Sequence, residues 1–323
     1  IKEKRNIITK LQVFKFKPFS KKQKQILTWW MPSSPVKDYD GIIADGAIRS
    51  GKTVCMSLSF VFWAMKTFSG QNFAMCGKTI GSFRRNVLFW LKIMLRSRGY
   101  KVMDHRADNL VEISRNGVTN NFYIFGGKDE RSLIQGITLA GLFCDEVALM
   151  PESFVNQATG RCSVDGSKYW LNCNPDGPYH WFKTNWIDRS VGYLGKSNVE
   201  RQRKEAAEKK QEISFKKLLY VHFTMDDNLS LSEEIKARYR ESYSGVFYKR
   251  YILGLWAMAE GIIYDMFDVD KHVKKVIANL YNSGRYVSID YGTQNATVFL
   301  LWNRGVDGKW YCIREYYYSG RDN

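Results

Sequence analysis

The stretch GAIRSGKT, from Gly46 to Thr53, decides the fold. Four residues separate its two glycines, and a lysine and a hydroxyl residue follow the second, which is the pattern of a phosphate-binding loop. An apolar run at residues 41–44 precedes it, and residues 54–68 have the composition of a buried helix. Strand, loop and helix in this order bring backbone N–H groups and the positive end of a helix to one phosphate. We therefore expect Lys52 to reach the β and γ phosphates of a nucleotide and the Thr53 hydroxyl to ligate Mg²⁺.

A second motif supplies the carboxylates that such a site needs. The apolar run at residues 139–144 predicts a strand, and Asp145 and Glu146 follow it. We expect this strand to neighbour the strand that leads into the loop, with Asp145 anchoring Mg²⁺ through water and Glu146 polarising the attacking water. The acidic pair, and the absence of an Asn-Lys-x-Asp guanine motif from the sequence, favour ATP over GTP.

The remaining periodicity predicts an α/β fold with a mostly parallel sheet. Further strands are predicted at residues 72–76, 110–114, 121–125, 169–173 and 218–223, and helices over residues 82–98 and 232–256. Asn116-Gly117 predicts a hairpin turn. Three successive strands, at residues 286–290, 296–302 and 310–318, predict a second sheet.

Charge and composition narrow the class of protein. Lys and Arg total 49 against 32 Asp and Glu, and the net charge of +17 favours a polyanionic partner such as nucleic acid. The mixed charges of residues 196–217 favour a solvated helix over a DNA contact. No apolar run reaches the roughly 20 residues that cross a bilayer, so we expect a cytoplasmic protein without a membrane partner. The six cysteines include no C-x-x-C pair, and four of them lie in apolar stretches that look like core, which favours reduced core residues over zinc ligands or disulfides.

The motifs together resemble those of the large terminase subunits of tailed bacteriophages, motors that package DNA into procapsids. The resemblance covers essentially the whole chain. The stretches that carry it are residues 18–25, 49–53, 139–146, 172–175, 222–228 and 248–256. It implies a P-loop, ASCE-type ATPase domain over residues 1–225 and a linker subdomain over residues 226–265. The start of an RNase H-like nuclease domain would follow over residues 266–323.

The resemblance also assigns roles within the ATP site. The expected ATP-binding residues are Gln23, Gln25, Gly46, Arg49, Ser50, Gly51, Lys52, Thr53 and Asn174. Either glutamine would offer its amide to adenine, although an ordinary polar helix start explains residues 16–25 equally well. Asn174, in the coupling motif at residues 172–175, would sense the γ-phosphate. The arginines considered for the transferring phosphoryl group are Arg49, Arg84, Arg85 and Arg131. We favour Arg131 for a neighbouring subunit's site and Arg49 for a cis or coupling role.

The implied nuclease would use Mg²⁺ or Mn²⁺, with Asp290 as its first metal ligand. One Asp cannot build a two-metal site, and Glu315 is a poor second ligand. We therefore expect endonuclease activity of the full-length protein and none of these 323 residues.

The expected partners are double-stranded DNA, the portal protein and the small terminase subunit. ATP and Mg²⁺ are the expected cofactors, and the motor is expected to be a homo-oligomeric ring in the cytoplasm of the infected host. Two alternatives stay open. One is a helicase-like ATPase without nuclease activity, which strand unwinding would reveal. The other is a nucleic-acid-binding module without ATP turnover.

Overall fold

The computed structural model describes residues 17–127, 134, 136–193, 215–258, 272–273, 279–281, 284–291 and 297–318. The chain divides into two compact units, residues 1–260 and 261–323. Arg131 and most of the charged stretch 196–217 lie outside the described residues. The predicted domain boundaries, after residue 225 and after residue 265, stay predictions.

Nine strands form the sheet of the first unit. They are β1 Gly41–Gly46, β2 Asn72–Gly77, β3 Lys101–His105, β4 Leu110–Arg115, β5 Val118–Gly126, β6 Gly141–Asp145, β7 Lys168–Asn172, β8 Ser190–Tyr193 and β9 Lys216–Phe223. Their order is β3-β4-β5-β2-β6-β7-β1-β9-β8. The seven strands from β5 to β8 are parallel, and β4 and β3 extend the edge as antiparallel strands. The predicted α/β fold with a mostly parallel sheet is confirmed.

Helices cover both faces of this sheet, as its apolar strands require. They are α1 Lys21–Thr28, α2 Lys52–Thr67, α3 Ile80–Phe83, α4 Phe89–Ser97, α5 Glu152–Gly160, α6 Glu233–Ser242 and α7 Gly245–Phe247. Turns of π-helix span Arg84–Leu88, Lys183–Ile187 and Tyr248–Ile252, and short 3₁₀ turns span Val147–Leu149 and Met225–Asp227. One core cluster packs α1, α2 and α4 on the sheet, and a second cluster contains the apolar residues of α5. The sheet therefore forms the middle layer of the unit.

The helix predicted over residues 232–256 is wrong beyond residue 242. Its start is as expected, because Ser232 accepts a hydrogen bond from the backbone N–H of Ile235. Tyr243 then takes extended backbone angles, and Gly245 has φ +54°. Extended and left-handed residues both interrupt the helical hydrogen bonds, so a short helix and a π turn replace the predicted continuous helix.

Most of the other predicted elements are present. The hairpin of β4 and β5 turns at Asn116 and Gly117, which both have positive φ as a tight hairpin turn requires. The helix predicted over residues 82–98 is the pair α3 and α4 joined by a π turn. The edge strands β3 and β8 were not predicted.

The cysteines are free thiols, as predicted. Four of them are buried in the core: Cys55, Cys76, Cys144 and Cys173. Cys162 is half-buried and Cys312 is exposed. The prediction that four of the six cysteines lie in the core is therefore confirmed.

The second unit contains the three predicted strands. They are β10 Tyr286–Asp290, β11 Thr297–Arg304 and β12 Trp310–Tyr318, paired antiparallel in that order. Within the described part of the chain, no helix has both the length and the apolar character needed to span a bilayer.

Candidate active site

The glycine loop, residues 46–51, connects β1 to α2 and requires both of its glycines. Gly46 has φ +123°, and a Cβ there would lie 1.9 Å from the carbonyl oxygen of Phe223 in β9. Gly51 has φ +86°, and a Cβ there would lie 2.5 Å from Nε2 of Gln23. The loop is thus packed between β9 and α1, and it leads directly into the first turn of the largely buried α2.

Lys52 turns its ammonium group back into this loop. Nζ donates to the carbonyl oxygens of Gly46 (3.0 Å) and Ala47 (2.6 Å). It also donates to Ser50 Oγ (3.2 Å) and to Asn174 Oδ1 (3.1 Å), so the loop and the coupling motif share one cation. Burial lowers the pKa of Lys52 to about 8, against the opposing effects of nearby acidic groups. The lysine is therefore a desolvated cation at the centre of the loop, where an anion would be most strongly attracted.

A hydroxyl, a carboxylate and an amide meet beside the lysine. Thr53 Oγ1 donates to Asp145 Oδ1 at 2.8 Å. Asn172 Nδ2 donates to Asp145 Oδ1 at 2.9 Å and to Thr53 Oγ1 at 3.1 Å. Burial raises the pKa of Asp145, although the hydrogen bonds from Asn172 and Thr53 oppose that shift. The structure thus brings together the two predicted Mg²⁺ ligands, Thr53 and Asp145.

The expectation that the Asp145 strand neighbours the loop strand is wrong, because β7 lies between β6 and β1. In register, Asn172 of β7 stands opposite Asp145 on one side and Ala44 on the other. The polar residue that ends β7 is therefore inserted between the carboxylate and the loop. Sequence reasoning assigned Asn172 only to the coupling motif and did not foresee its contact with Thr53.

Glu146, the residue after β6, has a left-handed conformation, with φ +58° and ψ +44°. A non-glycine residue in this region is uncommon, and such backbone strain concentrates at functional sites. Burial and the neighbouring Asp145 raise the pKa of Glu146, whereas Lys78 and Lys52 oppose that shift. A half-buried carboxyl of raised pKa is suited to exchange a proton with water.

Gln23 and Arg49, which were also predicted to bind ATP, make contacts within the protein. Gln23 is buried; its carbonyl oxygen accepts from the backbone of Ser20 (3.0 Å) and its amide donates to the carbonyl of Ser50 (3.3 Å). Arg49 is exposed, has φ +58°, and donates from Nε to the hydroxyl of Tyr239 in α6 at 2.9 Å. Gln25 is half-buried. Whether these residues contact ATP stays a prediction.

Asp45, the residue before the loop, was missed by the sequence analysis. It is fully buried, and Oδ1 accepts from the Tyr220 hydroxyl at 2.7 Å and lies 2.9 Å from His222 Nδ1. Trp256 Nε1 donates to Oδ2 at 2.6 Å. A carboxylate at the end of an apolar strand was a visible signal, but its partners are far away in sequence. Asp45 thus ties the start of the loop to β9 and to Trp256.

Trp256 belongs to the covering segment, residues 248–258, which contacts the loop along its length. The backbone N–H of Ile48 donates to the Tyr251 carbonyl at 2.9 Å. Gly254 has φ +71°, and a Cβ there would lie 2.8 Å from the backbone nitrogen of Ala47. The covering segment is therefore in direct contact with the loop backbone.

The covering segment also contacts the chain that follows the coupling motif. Arg250 Nη1 lies 2.6 Å from Asp176 Oδ1, and Arg250 Nε donates to the Ala257 carbonyl at 2.9 Å. The backbone N–H of Ala257 donates to the Asp176 carbonyl at 3.2 Å. One segment therefore contacts both the glycine loop and the loop that follows β7.

In the second unit, Asp290 ends β10 and is exposed. Glu315 lies on β12, two strands away, and stands opposite Leu300 of β11, whereas Asp290 stands opposite Val298. The two residues therefore lie on strands that are not neighbours, with β11 between them, and the role of Asp290 as a metal ligand stays a prediction. No cluster of three or more metal-ligating side chains occurs among the described residues.

The residues of the first unit fit a nucleotide and its Mg²⁺. A buried cation, a glycine loop at the start of a helix, and a hydroxyl beside a carboxylate provide complementary donors and hard oxygen ligands. Asn172 Oδ1 is buried without a hydrogen-bond partner among the described residues, which leaves one acceptor for a further donor at this site.

Comparison with known proteins finds one matching family model and several similar solved structures. The family model "Terminase large subunit, T4likevirus-type, N-terminal" matches residues 43–271. The large terminase of a thermophilic bacteriophage (crystal form 2) is 59% identical and superposes with a TM-score of 0.67, covering 94% of this chain and 69% of that chain. The same phage protein in complex with ADP is 57% identical, again covering 94% of this chain and 69% of that chain, with a TM-score of 0.66. Its complex with ATP-γ-S is 57% identical and covers 94% of this chain and 68% of that chain, with a TM-score of 0.65.

A more distant structure shares the fold alone. The large terminase of bacteriophage HK97 is 12% identical and covers 92% of this chain and 62% of that chain, with a TM-score of 0.55. A comparison with curated proteins found no match. The family match over residues 43–271 and the 59% identity to the terminase of the thermophilic phage show that this chain belongs to the phage large terminase family.

Proposed function

We propose that the chain is the motor part of a phage DNA-packaging terminase, which hydrolyses ATP at the glycine loop to translocate double-stranded DNA. The observation that carries the proposal is the hydrogen bond of 2.8 Å between Thr53 and Asp145, directly beside the buried Lys52. Family membership and the basic surplus of +17 support the role in DNA packaging.

Each residue of the site has a role in this chemistry. The Lys52 ammonium and the N–H groups of the loop would bind the phosphates. Thr53 and Asp145 would hold Mg²⁺, which neutralises phosphate charge when it is bound. Glu146 would take a proton from the attacking water, since it is half-buried and its pKa is raised. Asn174 already contacts Lys52 at 3.1 Å, so a γ-phosphate beside the lysine would change the surroundings of the coupling motif.

The covering segment is the proposed route from hydrolysis to movement. It touches the glycine loop at Ile48 and Ala47, and the loop after the coupling motif at Asp176. A rearrangement of either loop therefore requires the segment to follow or to lose these contacts. This contact supports the coupling of the ATP site to a part of the motor that grips DNA.

Other parts of the proposal concern the assembled motor. Arg131 would complete the ATP site of a neighbouring subunit in a homo-oligomeric ring, whereas Arg49, bonded to Tyr239, would act within its own subunit. The portal protein and the small terminase subunit are the proposed partners in the host cytoplasm. The second unit is proposed to begin an RNase H-like nuclease with Asp290 as a metal ligand, completed by residues of the full-length protein.

Displacement of a triplex-forming oligonucleotide tests translocation. Full-length terminase assembled on procapsids should displace a third strand from duplex DNA in an ATP-dependent manner and leave the duplex paired. The Glu146→Gln protein should bind DNA without displacing the third strand. Strand separation of the duplex would instead identify a helicase, and ATP-independent displacement would contradict a motor.

A further inference from the structure

We infer that Asn172 is a positioning residue for the metal of the ATP site, holding Thr53 and Asp145 at the separation in which both can serve one Mg²⁺. The inference rests on the proposed ATPase function. Its direct observation is that one side-chain nitrogen, Nδ2 of Asn172, donates to both of the expected ligand groups.

The topology explains why this task falls to Asn172. Thr53 lies in the first turn of α2 and Asp145 at the end of β6, two elements with no covalent link near the site. Since β7 lies between β6 and β1, the last residue of β7 is the nearest sheet position to both. Asn172 pairs in register with Asp145, so the backbone of the sheet fixes the amide beside the carboxylate.

The chemistry of the amide suits the task. The NH₂ group occupies one acceptor position on Thr53 Oγ1 and one on Asp145 Oδ1, and the Thr53 hydroxyl occupies the second position on that Oδ1. A lone pair of Thr53 Oγ1 and the other carboxylate oxygen, Asp145 Oδ2, are left for a cation. Partners that orient metal ligands in this way typically account for about 10–100-fold in metal affinity. The opposite end of the amide, Oδ1, is buried and has no partner among the described residues. That oxygen is an acceptor of the kind that the waters retained by Mg²⁺ require.

The role differs from that of a simple core contact. Asn120 is an equally buried asparagine, and its amide donates to the main-chain carbonyls of Ala64 and Phe68 and to the sulfur of Met65. These are structural partners. The partners of Asn172 are instead the hydroxyl of the first helical turn and the carboxylate of the acidic pair, so its removal should affect metal binding more than folding.

The test compares nucleotide binding with and without the metal. The Kd of a fluorescent ATP analogue is measured for the wild-type chain, for Asn172→Ala and for Asn172→Leu, which keeps the branched shape without the amide. Each is measured in EDTA and across a Mg²⁺ titration. We expect both variants to bind the analogue in EDTA within about twofold of wild type. The Mg²⁺ concentration for half-maximal effect should rise by about 10-fold or more. Asn121→Ala is the matched control. Asn121 donates to Asn72 at the start of β2, at the end of the strands opposite the glycine loop, so its removal should leave the Mg²⁺ titration unchanged.

The outcomes separate this inference from the proposed function. A wild-type Mg²⁺ titration in a folded Asn172 variant overturns the inference, as does an equal loss of affinity with and without Mg²⁺. A cooperative thermal unfolding transition in EDTA establishes that a variant is folded. If Asn172→Ala is not folded, the test is made with Asn172→Leu. Failure of the wild-type chain to bind the analogue in either condition would contradict the proposed ATPase function itself.

Discussion

At the scale of single residues, the site depends on groups held in environments that alter their chemistry. Lys52 is a cation buried among carbonyl oxygens, and Glu146 is a carboxyl in a left-handed turn. Both are costly in isolation, since burial disfavours charge and positive φ disfavours a side chain. For Lys52 the cost is understandable, because a bound polyphosphate would supply compensating negative charge.

The lowered pKa of Lys52 predicts a pH dependence of nucleotide affinity. Its pKa is about 8, so the neutral amine prevails above that pH in the nucleotide-free protein. A bound polyphosphate favours the ammonium form, so binding takes up a proton and the affinity falls by up to about tenfold per pH unit above 8. Calorimetric titration with ADP from pH 7 to 9.5 measures this decline. Lys52→Arg keeps its charge and should show a flat profile; a flat profile for wild type would contradict the assignment.

The close packing of the glycine loop predicts a large effect of Gly46→Ala on stability. A Cβ at this position would lie 1.9 Å from the Phe223 carbonyl, so β1 and β9 would have to separate. We expect the free energy of unfolding to fall by about 3 kcal/mol or more, measured by urea denaturation. Gly99→Ala is the control: Gly99 also has positive φ (+82°) but no atom within 4 Å of its Cβ, so only backbone strain of about 1 kcal/mol applies. Equal losses in the two variants would show that packing is not the cause.

At the scale of elements, apolar runs predicted the central strands well and the edges poorly. β1 and β6 are buried on both faces and are therefore nearly continuous apolar sequences, which periodicity detects. β3 mixes charged and apolar residues, and β8 is a short edge strand, so neither stands out in the sequence. The helix ends at Tyr243, which is extended and packs edge-on against the ring of Tyr251, and local helix propensity does not contain that contact.

The order of the strands in the sheet could not be predicted from the sequence, for a physical reason. Pairing is decided by contacts between segments more than 100 residues apart, such as β1 with β7 and β9. The glycine loop, Lys52 and the acidic pair were predictable because each is a local pattern. The position of Asn172 between Thr53 and Asp145 and the partners of Asp45 both follow from the strand order. No local sequence pattern encodes that order.

The covering segment predicts that coupling can be lost while the ATP site persists. Arg250→Ala removes the ion pair with Asp176, and the partly exposed pair should contribute only about 1 kcal/mol to stability. In hydrogen exchange, ATP-γ-S should protect residues 46–53 in both proteins, but residues 248–258 should respond only in wild type. Lys183→Ala, which removes the ion pair with Asp188, is the control. A normal response of the segment in Arg250→Ala would show that this contact does not transmit the change.

At the scale of the whole molecule, the net charge of +17 predicts DNA binding without sequence preference. Contacts between basic side chains and phosphates release counterions, so the logarithm of affinity should fall with the logarithm of salt by about 0.9 per phosphate contacted. Fluorescence anisotropy with two unrelated duplexes, from about 50 to 200 mM salt, measures the slope. Equal slopes for both duplexes are expected, and binding insensitive to salt would contradict the electrostatic account.

The most direct test of the whole account is ATP turnover compared with ATP binding in Glu146→Gln. The wild-type chain should hydrolyse ATP in the presence of Mg²⁺. Glu146→Gln should bind ATP within about threefold of wild type but turn it over about 100-fold or more slowly, because the amide cannot accept the proton of the attacking water. Glu112→Gln, a half-buried glutamate of the antiparallel edge, should retain the wild-type rate. Hydrolysis by Glu146→Gln at the wild-type rate would contradict the assignment of this site.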